Sequence, residues 1–171
     1  MSKRDLKKYV SELDKSQLEE QLIALYDKFK EVKVYYDFVF KPNETNLLKD
    51  ARLKISNEYF PIRGKRPKMR RSVAQKYIKH FISLGVDSFI VADVMLYAIE
   101  IAQALTTEKQ VTNETFYKSM LASFEQSISF MIDKGILDDF KSRVVGIKDE
   151  AVRQHWMNSY QFNAVVERFD Y

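Results

Sequence analysis

The chain has 171 residues, 46% of them hydrophobic and 13% aromatic, with 28 Lys/Arg against 24 Asp/Glu. That length and apolar content suit one domain with a sizeable core and exclude a disordered chain. The lack of cysteine excludes thiolate catalysis, iron–sulfur ligation and Cys-based zinc sites, and four glycines with three prolines leave too few turns for a β-sandwich.

Pro42, Pro61, Gly64, Pro67, Gly85, Gly135 and Gly146 serve as punctuation, each expected between helical stretches because Gly and Pro are the residues most costly inside a helix. The first stretch carries Leu6, Tyr9, Val10 and Leu13 at the spacing of one buried stripe and ends near Asp14. Ser16 and Glu19 then make a capping box. They open a long second helix whose narrow seam runs Leu18, Leu22, Leu25, Phe29, Val32, Tyr36 and Val39 before Pro42 stops it. Asn43 is set to cap a third helix with Leu47, Leu48, Ala51, Ile55 and Tyr59 inward.

Pro61 ends that helix, and residues 61–71 are non-helical, the strongest candidate for an internal boundary in a single domain over 1–171. Ser72 and Gln75 make the box of a fourth helix that buries Val73, Tyr77, Ile78, Phe81 and Ile82 and ends at Gly85. Asp87 caps the fifth, which runs to about Thr107 and is apolar around most of its circumference, so it is expected at the centre. Thr112 caps the sixth, with Phe116, Met120, Leu121, Phe124, Ile128 and Met131 inward and Gly135 as its stop. Shorter helices follow over Leu137–Val145, Asp149–Met157 and Gln161–Phe169. No period-two alternation appears. The fold expected is all-α, an irregular multi-helix bundle or helical-repeat-like stack of about eight helices with no β-sheet.

No apolar run follows the basic residues at the N-terminus, as a signal peptide would need. The apolar-rich stretch Phe89–Leu105 contains Asp93, Glu100 and Gln103 and reads as too short and too charged for a membrane span. The expectation is a cytoplasmic protein without a membrane partner.

Charge is distributed unevenly. Residues 1–79 hold 20 Lys/Arg and 11 Asp/Glu, a net of +9, and residues 80–171 hold 8 and 13, a net of −5. Within 61–71, Arg63, Lys65, Arg66, Lys68, Arg70 and Arg71 occur with no acid, and Lys76 and Lys79 follow on one helix face. Arg70 and Arg71 precede a helix N-terminus, where the macrodipole disfavours cations by a few tenths of a kcal/mol each. Two readings compensate for this. One is contact with a nucleic-acid backbone or another anionic partner, with each cation adding affinity and salt dependence. The other is pairing with acids of the C-terminal half such as Asp138, Asp139, Asp149 and Glu150. Aromatic side chains that could stack on bases are missing from the segment itself.

Asp93, Tyr97 and Glu100 stand at offsets of four and seven, on one face of an otherwise apolar helix. Carboxylates facing a core must be paired or hydrogen-bonded. They form the floor of a polar pocket, or a metal or acid–base site with Tyr97, or else a solvent-facing stripe or one ion-paired with Arg70 and Arg71 of a neighbouring helix. Tyr35, Tyr36, Phe38, Val39 and Phe40 surround the end of the second helix, which should be enclosed by the domain or by a partner in an assembly.

Enzyme signatures are missing: no Gly-rich phosphate loop, no nucleophile elbow and no His-Glu-x-x-His. His80 and His155 are the only histidines, each alone in its helix. No catalytic residue, metal or cofactor is assigned. The stretches Ser2–Leu13, Leu18–Leu22 and Arg70–Phe81 resemble a family of uncharacterised bacterial helical proteins. That resemblance implies an all-helical fold over most of the chain and brings no activity. Residues 3–30 are also loosely similar to the small DNA-binding helix pair of the SAP type. The function expected is a non-enzymatic helical binding module whose partner is a protein or a nucleic-acid backbone. A ligand-binding protein or enzyme using Asp93, Tyr97 and Glu100 is the alternative.

Overall fold

The computed structural model describes residues 2–62 and 66–168, and all the regular structure among them is helical. The elements are α1 (Lys3–Ser11), α2 (Lys15–Lys28), α3 (Lys30–Phe40), α4 (Glu44–Tyr59), α5 (Arg71–Leu84), α6 (Ser88–Glu108), α7 (Glu114–Lys134), α8 (Leu137–Arg153) and α9 (Ser159–Glu167). The expected all-α bundle is present. The chain separates into two compact units, Met1–Asn43 and Glu44–Tyr171, so the break falls beside Pro42 and not within 61–71.

The first unit holds α1 to α3. The capping box of α2 is Asp14 with Gln17, two residues earlier than the Ser16/Glu19 pair, with side chain to backbone bonds of 2.8 and 3.0 Å. Asp is as good an N-cap as Ser, and the earlier start adds helical residues. The single long helix expected over 16–41 is broken at Phe29, whose extended backbone (φ −118, ψ 117) ends α2 and begins α3. The break lets the Tyr26 hydroxyl donate to Asp37 Oδ1 at 2.8 Å. A straight helix would hold residues eleven apart at about 16 Å.

None of the residues of α1, α2 or α3 is buried. The stripe of Leu6, Tyr9 and Val10 exists as a stripe but faces solvent, with Leu6 and Tyr9 each 47% exposed. At the end of α3, Tyr36 stacks on Phe40 and meets Tyr35 edge-on, yet Phe40 remains 75% exposed.

Among the described residues, all 30 buried apolar residues fall in the second unit. α6 is its axis and packs against α4, α5, α7 and α8. Leu96 and Ile99 on α6, Phe81 on α5, Phe124 on α7 and Phe162 on α9 are among its most completely enclosed side chains. With 21 residues, α6 is long and apolar enough by composition to cross a bilayer, so the reading of 89–105 as too short does not hold. Its packing on four helices marks it as a core helix.

α5 starts at Arg71 with Arg70 as an N-cap that makes no side-chain capping bond, so the Ser72/Gln75 box does not form. Its inward face is Ala74, Ile78, Phe81 and Leu84, while Ile82 is 50% exposed. Gly85 ends it in the left-handed conformation (φ 73) that glycine adopts without a Cβ penalty, and Val86 N–H closes the turn on Phe81 C=O at 3.1 Å. Asp87 caps α6 as expected, accepting from Phe89 N–H at 2.8 Å. The cap of α7 is Asn113, accepting from Thr115 N–H at 2.9 Å, and not Thr112.

α8 runs unbroken through Gly146 and merges two of the expected short helices. A mid-helix glycine costs about 1 kcal/mol, which the inward burial of Val144, Ile147 and Ala151 offsets. α8 ends in a Schellman-type turn: Trp156 N–H reaches Ala151 C=O at 3.0 Å, with exposed His155 in the left-handed region at φ 52. Phe169, the expected end of the last helix, lies outside the described residues.

Candidate functional site

The junction between α4 and α5 is organised by Glu58, on the last turn of α4. Its backbone carbonyl accepts from Lys68 N–H at 2.9 Å and Met69 N–H at 3.0 Å. Its carboxylate accepts a two-pronged bond from Arg70, both arms at 2.8 Å. The returning chain is thus tied to α4 three residues before α5 becomes regular, with Met69 in the left-handed region at φ 52. The Arg70 guanidinium holds the Glu58 carboxyl below its ordinary range, against the opposing effect of burial.

Arg71 is also used structurally. Its Nε donates to Ser123 Oγ at 2.7 Å and its Nη2 to Gln126 Oε1 at 3.0 Å, anchoring α5 on α7. The macrodipole cost of two cations at this helix start is therefore offset inside the fold. Two of the acids expected to do so have other partners: Lys148 pairs with Asp149 at 2.7 Å, and Arg153 pairs with Glu150. Sequence reasoning does not single out Glu58, although it is the nearest acid before the basic run.

The other cations point outward. Arg66, Lys68, Lys76 and Lys79 are exposed, as is Lys54 on α4, and none forms a salt bridge among the described residues. Arg66 and Lys68 rim an open depression with Asn57, Glu58, Pro61 and Ile62. Lys54, Arg70, Ser72, Lys76 and half-buried Tyr77 line a second depression that shares Asn57 and Glu58 with the first. Arg63 and Lys65 lie outside the described residues. The expected strip of eight cations thus divides into two anchors, four outward charges and two undescribed residues, and Lys54 joins the outward set from α4.

Asp93, Tyr97 and Glu100 do share one face of α6, and two arginines meet it. Arg52 of α4 donates to both Asp93 oxygens at 2.7 Å and lays its guanidinium over the Tyr97 ring, 5.0 Å from the centroid. Arg143 of α8 reaches Asp93 Oδ1 at 2.8 Å and grips both oxygens of Glu100. Hydrogen bonding to Glu100, then to Asp93, raises the Arg143 pKa further against its burial, so the guanidinium stays charged. The geometry favours the ion-paired reading of this face, with Arg52 and Arg143 in the place expected for Arg70 and Arg71. Both carboxylates are consumed by hydrogen bonds, and the face cross-links α4, α6 and α8.

Among the described residues no three His, Asp or Glu side chains gather at metal-binding distance. His80 leans on Phe81, and His155 occupies the turn after α8. Fold and surface together define an all-helical protein with an internally neutralised polar seam and a basic rim at one helix junction. The chain belongs to DUF6155, a family of unknown function whose model matches residues 1–170. No curated protein and no solved structure matches it.

Proposed function

We propose that the protein is a non-enzymatic helical binding module that holds a nucleic-acid backbone on the rim between α4 and α5. The observation that carries this reading is the division of the cations. Arg70 and Arg71 are spent on Glu58, Ser123 and Gln126. Arg66 and Lys68 rim one open depression and Lys54 and Lys76 line the second, which shares Asn57 and Glu58 with it, and none of the four has a salt-bridge partner among the described residues. Outward cations held in no salt bridge release counterions when they meet phosphates, which supplies affinity without base readout. Tyr77, on the wall of the second depression beside Lys54 and Lys76, adds one aromatic ring.

Binding of the full chain to duplex DNA, single-stranded DNA and RNA would be followed by fluorescence anisotropy at low and moderate salt. The expected result is binding that weakens steeply with salt. A loss of at least about tenfold is also expected on the triple change Arg66→Glu, Lys68→Glu, Lys76→Glu. No binding at low salt, or binding indifferent to that triple change, would overturn the proposal and leave an acidic protein as the partner to seek.

A further inference from the structure

We infer that the first unit is a self-association module, and that what covers its apolar face is the same unit of a second copy of this chain. The unit spans Met1–Asn43 and has no buried residue in any of its three helices. Segments of that size do not form a stable core of their own without a staple or a partner. The apolar material is present but uncovered. Leu6, Tyr9 and Val10 on α1, and Leu18, Leu22 and Leu25 on α2, are each between 37 and 47% exposed. Tyr35, Val39 and Phe40 of α3 add further exposed apolar side chains, toward the roughly 800 Å² that each partner brings to a standard interface.

Charge selects the occupant. α1 is basic, with Lys3, Arg4, Lys7 and Lys8 exposed and outside any salt bridge among the described residues. The turn after it and the start of α2 are acidic, with Glu12, Asp14, Glu19 and Glu20 exposed. Asp14 is used as the cap of α2 and Glu19 touches the flexible Lys15 at 3.7 Å, which leaves Glu12 and Glu20 outside any salt bridge among the described residues to meet cations. A surface of one sign, such as phosphates or anionic headgroups, would attract α1 and repel the start of α2. A second copy related by a two-fold axis lays each α1 against the partner's α2 and satisfies both blocks and both apolar stripes at once. The inference concerns a different unit from the basic rim and does not depend on it.

Sedimentation velocity on the full chain, from about 1 to about 100 µM, tests this directly. The expected result is a dimer whose dissociation constant rises at least roughly tenfold in Leu22→Asp/Leu25→Asp. A charge-swap pair then separates specific pairing from loss of folding. One chain carries Lys3→Glu, Arg4→Glu, Lys7→Glu and Lys8→Glu; the other carries Glu12→Lys, Glu19→Lys and Glu20→Lys. Each alone should be largely monomeric, and their mixture should give a heterodimer by native mass spectrometry. A wild-type chain that stays monomeric to about 100 µM would overturn the inference. So would a dimer that tolerates Leu22→Asp/Leu25→Asp, or swapped chains that fail to pair.

Discussion

The polar seam inside the second unit and the basic rim at the α4–α5 junction use the same kinds of residue to opposite ends. In the seam, Arg52 and Arg143 face Asp93 and Glu100, every carboxylate oxygen is taken, and three helices are fastened together. At the rim, Arg66 and Lys68 on one open depression and Lys76 on the second have no such salt-bridge partners among the described residues. Half-buried charges must be neutralised within the fold, because leaving one unpaired costs several kcal/mol. Exposed charges carry no such obligation, so a cluster of one sign survives there only where repulsion is tolerated or a partner relieves it. The difference teaches that cation count does not mark a binding surface. On the proposed reading, what marks it is the set of cations left over after internal pairing, and Arg70 and Arg71 fall on the internal side of that line.

Four perturbations sharpen or break this contrast. The largest effect belongs to the seam. Arg143→Met strands Glu100 and removes one of the two arginines from Asp93. It should cost about 2–4 kcal/mol in urea unfolding, with nucleic-acid affinity of the folded protein unchanged. A change below about 0.5 kcal/mol would show that the seam does not fasten the helices.

The second is Glu58→Gln, which weakens the grip on Arg70 and should cost about 1–2 kcal/mol at neutral pH. Glu58 in the folded chain titrates below its ordinary 4.5. The stability it contributes is therefore complete above that pH and is lost as pH falls through the lower folded value. The gap between wild type and Glu58→Gln should close as unfolding is measured at progressively more acid pH. A gap constant with pH would contradict the assignment.

Third, His155→Gly relieves a left-handed non-glycine residue at the end of α8. It should stabilise by about 0.5–1 kcal/mol and raise the melting temperature, a control that strengthens the helix bearing Arg143 without touching either cation set. Smallest is the rim itself: Arg66→Glu, Lys68→Glu and Lys76→Glu together should move stability by no more than about 0.5 kcal/mol.

Much of this architecture is legible in the sequence. The helical class, the central α6, the Asp87 cap and the stops at Gly85 and Gly135 follow from local chemistry, which the structure keeps. The departures share one cause. Periodicity identifies a helix face but not what covers it, so the stripe of α1 has the spacing of a buried face and is exposed. Gly146 and Phe29 depart from expectation in opposite directions. Packing of Val144, Ile147 and Ala151 carries a helix through a glycine, while nothing in the local pattern requires a break at Phe29.

The candidate sites show the same limit. The basic run and the shared face of Asp93, Tyr97 and Glu100 are visible as spacing. Their partners are not, since Arg52 and Arg143 lie 41 and 50 residues from Asp93 and Ser123 lies 52 residues from Arg71.

The central claim is that the unpaired cations of the rim, and not the anchored ones, meet phosphate. Its most direct test is the salt dependence of nucleic-acid binding in wild type and in the triple rim variant, both verified as folded. The slope of log affinity against log salt should fall by about 2–3 in the variant, close to one for each phosphate that a rim cation no longer neutralises. An unchanged slope, or no binding by the wild type at low salt, would contradict the claim.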